Sequence, residues 1–155
     1  MKRFKGNPIL EPIKSNSWES QAVFNAAAIY GNGSVHIVYR AMGDDNISRL
    51  GYATSNDGFH ITERLDAPIF LPANHAERDG CEDPRLTIIG DKCLMAYTAF
   101  RNHDYPVVFQ ISLTSIGLND LLNRQWNWKD RILPFPGVRN KDAVILPGKV
   151  DGKYV

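Results

Sequence analysis

Cysteine is scarce: the 155 residues hold only Cys81 and Cys93, too few for a disulfide framework and without CxxC or Cys/His metal-ligand spacing. No metal or organic cofactor is expected, and a reducing cytoplasm is the expected compartment. An excess of charge of one sign is lacking too. Eighteen Lys and Arg stand against 17 Asp and Glu, a formal net charge of +1, and the basic residues form no run. Such a chain has no long-range field to favour nucleic acid or an anionic membrane, so neither is expected as a partner. No apolar stretch approaches the ~20 residues of a membrane span, and the basic start Met1-Lys2-Arg3 has no apolar core behind it. Helical periodicity is nearly absent: only Gly117–Asn123 hints at a turn or short helix, and nine prolines punctuate the rest.

What is present is strand alternation, and it repeats. Val35-His36-Ile37-Val38-Tyr39 and Cys93-Leu94-Met95-Ala96-Tyr97 each follow a tight-turn signal, Gly31-Asn32-Gly33 and Gly90-Asp91-Lys92. Each turn is preceded by another short apolar run, Ala26–Tyr30 in one case and Leu86–Ile89 in the other. A third copy runs from Asp142-Ala143-Val144-Ile145-Leu146 through Asp151-Gly152-Lys153 into Tyr154-Val155. The hairpin turns recur at about 57 to 62 residues, the range of one antiparallel sheet per repeat in a propeller. Leu50–Ser55 and Phe109–Thr114 read as third strands of successive repeats. The expected fold is therefore all-β, a propeller of which residues 1–155 form a single incomplete domain of about two and a half blades. Propellers close with roughly 4–8 blades, so a protein about twice as long is expected.

In a propeller the innermost strand of each blade opens at a shared mouth, so polar residues placed alike in successive repeats converge. Asn25, the pair Glu82-Asp83 and the pair Lys141-Asp142 each stand immediately before an inner-strand run, while Arg40 and Arg101 close the strands that follow. Each has an ordinary reading. Asn favours turns, strand-end arginines are usually solvated, Lys141-Asp142 makes a surface pair worth under about 1 kcal/mol, and Pro84 keeps Asp83 out of helical geometry. Their shared phase argues for a site. Two adjacent carboxyls repel, so burial would hold one protonated near neutral pH, as a general acid requires. Nearby Arg and Lys suit an anionic substrate, phosphate being the simplest. Trp18, Tyr39, Tyr97, Phe100 and Tyr105 offer aromatic faces for a sugar ring, with core packing favoured for Tyr39 and Tyr97.

These residues resemble glycoside hydrolase family 130, the β-mannoside phosphorylases and related mannosidases. The likeness runs from Asn7-Pro8-Ile9-Leu10 and Val23-Phe24-Asn25-Ala26-Ala27-Ala28-Ile29 through Val38-Tyr39-Arg40 and Gly51–Gly58. Its most specific element is Gly80-Cys81-Glu82-Asp83-Pro84-Arg85, followed by Tyr97-Thr98-Ala99-Phe100 and Asn140-Lys141-Asp142-Ala143-Val144. The resemblance implies a five-bladed β-propeller, with this chain as its N-terminal part. It implies that Asp83 is the catalytic acid, protonating the glycosidic oxygen through a hydroxyl of the bound mannose while inorganic phosphate, a co-substrate, attacks with inversion. It further implies that Asn25 and Arg40 hold the mannose, with Glu82 also substrate-binding and Arg49 and Arg85 as weaker assignments, Arg85 bracing the acid through an ion pair. Arg101 and Lys141 match the phosphate-binding residues. Ala26 departs from members with a small hydroxyl residue there, which leaves the linkage open.

The expected activity is therefore phosphorolysis of a short β-mannoside to mannose 1-phosphate. The partners are a small oligosaccharide and phosphate, and homo-oligomerisation stays open. Two alternatives stand beside it: a phosphate-independent β-mannosidase of the same family, using water and a carboxylate pair, and a non-catalytic glycan-binding propeller fragment.

Overall fold

The computed structural model describes residues 2–102 and 108–155. β1 (Ala22–Gly31) and β2 (Ser34–Met42) pair antiparallel across Asn32 and Gly33, both at positive φ, the geometry a two-residue hairpin needs to match strand twist. β3 (Ser48–Ser55) and β4 (Ile61–Arg64) complete a first antiparallel sheet in chain order. A short 3-10 turn at His75–Glu77 then leads into β5 (Gly80–Ile89), β6 (Lys92–Arg101) and β7 (Val108–Gly117), which form a second sheet. Its outer edge is extended by the segment around Ile132, which exchanges two backbone hydrogen bonds of 2.8 Å with Leu113. β3 and β7 are thus the third strands expected from the sequence. The helical hint is α1 (Leu118–Leu122), the only α-helix among the described residues. Both sheets are antiparallel, and the architecture is all-β.

The third hairpin forms only at its tip. Lys149–Val150 (β8) pairs with Lys153–Tyr154 (β9) around Asp151-Gly152, but Asp142–Leu146, expected as an inner strand, is not in a strand. A strand needs the backbone groups of a neighbour. Asp142–Leu146 makes one backbone bond of this kind, Leu146 N–H to Val155 O at 2.7 Å, beyond the β8–β9 pair. The Thr87 hydroxyl also donates to Ile145 O at 2.7 Å, holding the run against the second sheet.

Among the described residues the backbones of the two sheets are joined by one parallel bridge, Ser48 to Gly80. The approach is close there: a Cβ on Gly80 would lie 3.1 Å from Ser48 Cβ, so a larger residue would push the sheets apart. The main core lies between the sheets, with Val38, Leu50 and Tyr52 from the first against Cys81, Met95, Tyr97 and Ala99 from the second. Phe70 is wedged edge-on between Tyr97 and Trp128, its ring centre 5.0 and 5.3 Å from theirs. Burying each such aromatic stabilises the fold by about 1.5–3 kcal/mol. The other face of the first sheet carries Ile37, Tyr39, Ala41 and Ala53 under Ile9, Leu10 and Trp18. Tyr39 crosses Gly51 so closely that a Cβ there would lie 2.3 Å from its ring.

One polar network occurs twice, and the sequence reading missed it. In the first sheet the fully buried Glu19 accepts from Asn16, from the Tyr39 hydroxyl at 3.0 Å and from Arg64 at 2.5 Å. In the second, Glu77, also fully buried, accepts from Asn74, from the Tyr97 hydroxyl at 2.6 Å and from Arg131. Asn16, Glu19 and Tyr39 recur at Asn74, Glu77 and Tyr97 with the same 58-residue step that separates Asn25 from Asp83. Each network ties the segment before the inner strand to the outer edge of its own sheet, β4 in the first and the stretch beside Ile132 in the second. Burial pushes both tyrosine hydroxyls well above the usual phenol range. Both therefore stay neutral donors to their glutamates.

Candidate active site at the shared strand ends

Asn25 and Asp83 sit at matching irregularities in the two sheets. The β1–β2 register slips between Phe24 and Ala27, and the β5–β6 register slips between Glu82 and Arg85. At each slip one residue adopts left-handed backbone, Asn25 at φ +46° and Asp83 at φ +52°. Extra residues of this kind bend a strand and re-aim a side chain. Asn and Asp tolerate the conformation better than other non-glycine residues, and Pro84 removes a ladder donor at the same bulge. Asp142, one step further along, has φ +64° as well.

The two re-aimed side chains meet. Asn25 Nδ2 donates to Asp83 Oδ1 at 2.7 Å, and Arg40 Nη1 donates to the same oxygen at 3.1 Å. Arg40 Nη2 reaches Glu82 Oε1 at 2.6 Å, and its Nε donates to Ser48 Oγ at 3.0 Å. Ser48 in turn donates to Glu82 Oε1 at 3.1 Å. The guanidinium lies over the Phe24 ring, 4.5 Å from its centre, a cation–π contact that fixes its plane. Asp83 is only 7% exposed, and its Oδ2 has no hydrogen-bond partner among the described residues. Burial, the largest effect, pushes the Glu82 carboxyl above its ordinary range; Arg40, Ser48 and Lys141 pull it back, and the Asp83 charge pushes it further up.

Of the residues singled out in the sequence, Asn25, Arg40, Glu82 and Asp83 are therefore in direct contact. Lys141 lies within electrostatic reach of Glu82, although its side chain is 55% exposed and 3.9 Å from Asp142. Arg101 stands at the same end of the second sheet, closing β6 opposite Val108. Arg49 is directed elsewhere. Its cross-strand partner is Ala41, so it shares the Tyr39 face of the sheet while Arg40 shares the Leu50 face, and its guanidinium is held by Asp45 at 2.6 and 3.1 Å. Arg85 does not brace the acid: Nη1 donates to the Pro84 carbonyl at 3.0 Å, and the ion pair to Asp83 comes from Arg40 instead. The bulge separates the two neighbours, placing Arg85 back in register opposite Ala96.

Tyr39 and Tyr97 are core residues, as favoured from the sequence, and Trp18 packs half-buried against Tyr39 with ring centres 6.3 Å apart. Tyr105 lies outside the described residues. Ser48 and Phe24 complete the cluster and were not anticipated. Phe24 adjoins Asn25 in the motif, but nothing in the repeat phase marks Ser48. Among the described residues no cluster of His, Cys, Asp and Glu is arranged to hold a metal ion.

A buried Asp is thus held by an Asn and an Arg from the neighbouring sheet. The family described as beta-1,4-mannooligosaccharide phosphorylase, glycoside hydrolase family 130, matches residues 1–155. The chain belongs to glycoside hydrolase family 130. It is 39% identical to a 1,2-beta-oligomannan phosphorylase of Thermoanaerobacter sp. (strain X514), over 100% of this chain and 52% of that protein. A beta-1,2-mannobiose phosphorylase from the same organism is also 39% identical, over 99% of this chain and 52% of its own length. The chain thus spans about half the length of these family 130 relatives. Among solved structures it is similar to one from work on family 130 glycoside hydrolases that target beta-1,2 mannosidic linkages in Candida mannan. That match has a TM-score of 0.81 and 26% identity, over 97% of this chain and 50% of the other. The two sheets are accordingly successive blades of a family 130 propeller.

Proposed function

We propose that the protein is a glycoside phosphorylase that cleaves short β-mannosides with inorganic phosphate and releases mannose 1-phosphate with inversion. The observation that carries this is the hold on Asp83. Two donors from the first blade, Asn25 and Arg40, occupy Oδ1, and Oδ2 remains for a proton that can pass to a bound sugar. In this reading Asp83 gives its proton to a mannose hydroxyl, which passes its own to the glycosidic oxygen. A phosphate oxygen attacks the anomeric carbon from the opposite face, and the bond to the leaving sugar breaks. Asn25 and Arg40 then serve both acid and sugar. Among the described residues three of the guanidinium's five N–H donors are used.

Glu82 is unsuited to be the second carboxylate of an inverting hydrolase. Such a base works across the sugar ring from the acid, whereas Glu82 shares one guanidinium with Asp83 and so lies on the acid's own side. Phosphate is already a nucleophile and needs cations, for which Lys141 and Arg101 are the candidates on this half of the protein. We further propose that five blades close the propeller, the remainder coming from sequence corresponding to the second half of the relatives. Both cysteines are free thiols, in keeping with a cytoplasmic protein.

The names of the two 39%-identical relatives favour the β-1,2 linkage over β-1,4. The test is to incubate the full-length protein with β-1,2- and β-1,4-mannobiose, with and without phosphate, and to measure mannose 1-phosphate. Turnover of the β-1,2 sugar only when phosphate is present is expected. Release of free mannose without phosphate would overturn the reading in favour of a mannosidase, and binding without turnover in favour of a glycan-binding module.

A further inference from the structure

We propose that Ser48 is a positioning residue for the acid, locking Arg40 and Glu82 together so that Asp83 is held by Oδ1 and open at Oδ2. The proposal rests on the phosphorylase reading above and adds to it a residue that no repeat phase or motif marks.

Ser48 is 1% exposed and sits at a backbone bridge between the two blades. Its hydroxyl acts in both directions, accepting from Arg40 Nε at 3.0 Å and donating to Glu82 Oε1 at 3.1 Å. Arg40 Nη2 closes the ring on that same Oε1 at 2.6 Å. A guanidinium is a rigid planar fork, so fixing Nε and Nη2 also fixes where Nη1 points, and Nη1 points at Asp83 Oδ1. Phe24 sets the plane from below. Without the hydroxyl, Arg40 can rotate toward Glu82 alone, and Asp83 keeps only the Asn25 bond. Backbone geometry makes the position dependable: Ser48 is anchored to Gly80, two residues before Glu82, and a Cβ on Gly80 would already lie 3.5 Å from Glu82 Oε1. The site's alignment is thereby coupled to the seam between blades.

The charged groups facing Glu82 are Arg40 from β2, Asp83 beside it on β5 and Lys141 from the segment after the second blade. Removing the Ser48 hydroxyl leaves all three charges present, and Arg40 keeps its bond to Glu82 Oε1 as it turns away from Asp83. That hydroxyl favours ionised Glu82, so its loss moves the Glu82 titration to higher pH.

The experiment compares Ser48→Ala and Ser48→Thr in the full-length protein. Readouts are kcat and KM for mannoside and phosphate, the pH profile, thermal stability, and the Glu82 carboxyl titration followed by carbon NMR. Ser48→Ala should lower kcat roughly tenfold, leave KM for phosphate near the parent value and raise the Glu82 midpoint. Ser48→Thr, which keeps the hydroxyl, should recover most of kcat. Unchanged kcat and pH profile with only a lower Tm would overturn the proposal, because a purely structural serine predicts that pattern. The titration needs no turnover. An unmoved Glu82 midpoint overturns the proposal whatever the activity, whereas a raised midpoint in a protein that never uses phosphate supports the positioning role and overturns the phosphorylase reading alone.

Discussion

Asn25 Nδ2 and Asp83 Oδ1 lie 2.7 Å apart across the seam between two blades, each on left-handed backbone at a register slip. The contact joins equivalent positions of successive repeats, so an irregularity that would weaken a single sheet becomes the means by which two sheets share one acid.

The acid can be removed without disturbing that contact. In Asp83→Asn the remaining side-chain oxygen still accepts from Asn25 and Arg40, while the amide replaces Oδ2. Loss of the proton donor should cost at least ~100-fold in kcat, with mannoside affinity by calorimetry close to the parent. Parent-level turnover in this variant would assign the acid elsewhere.

Arg40 answers two carboxylates at once, and among the described residues no other cation forms an ion pair with either of them. Arg40→Met leaves Glu82 and Asp83 mutually repelling in a largely buried site. Removing one partner of a buried pair costs about 3–5 kcal/mol, and partial exposure of these groups puts the expectation near the lower end. Urea unfolding of the parent and variant measures it.

Glu82 introduces a pH dependence of definite sign. Its carboxyl is raised above its ordinary 4.5 in the folded protein, mainly by burial. The folded state therefore holds the proton more tightly than the unfolded state, and stability falls as pH rises through that window. Glu82→Gln keeps the acceptor oxygen for Arg40 and Ser48 but does not titrate. Relative to it, the parent should be at its best at or below pH 4.5 and should lose stability as pH rises through the folded midpoint. Thermal unfolding of both proteins across that range checks the slope, and parallel curves would contradict it.

The doubled glutamate network predicts matching energetics in two blades. Tyr39→Phe and Tyr97→Phe each remove one hydroxyl donor from a buried carboxylate, which should cost about 1.5–3 kcal/mol apiece. The two sites share no partner, so the double variant should be additive within about 0.5 kcal/mol. Denaturant titration of the four proteins tests this.

Strand order, hairpin positions and the phase of Asn25 and Asp83 were legible in the sequence, because alternation and turn chemistry are local and a repeat displays them twice. The glutamate networks were legible in principle through the same 58-residue step, although Arg64 and Arg131 break it. Other features had no local mark. Arg49 and Arg40 differ by one residue in cross-strand register, and that parity alone sends one to Asp45 and the other to Asp83. Asp142–Leu146 carries a strand pattern, yet a strand also needs a neighbour's backbone, and the run makes one such bond, Leu146 to Val155. Ser48 matters because Gly80 lets the backbones of the two sheets bridge there. The sequence by itself determined which residues could form the site; only the packing of the blades decided which of them touch, since hydrogen bonds depend on facing and separation that no linear spacing records.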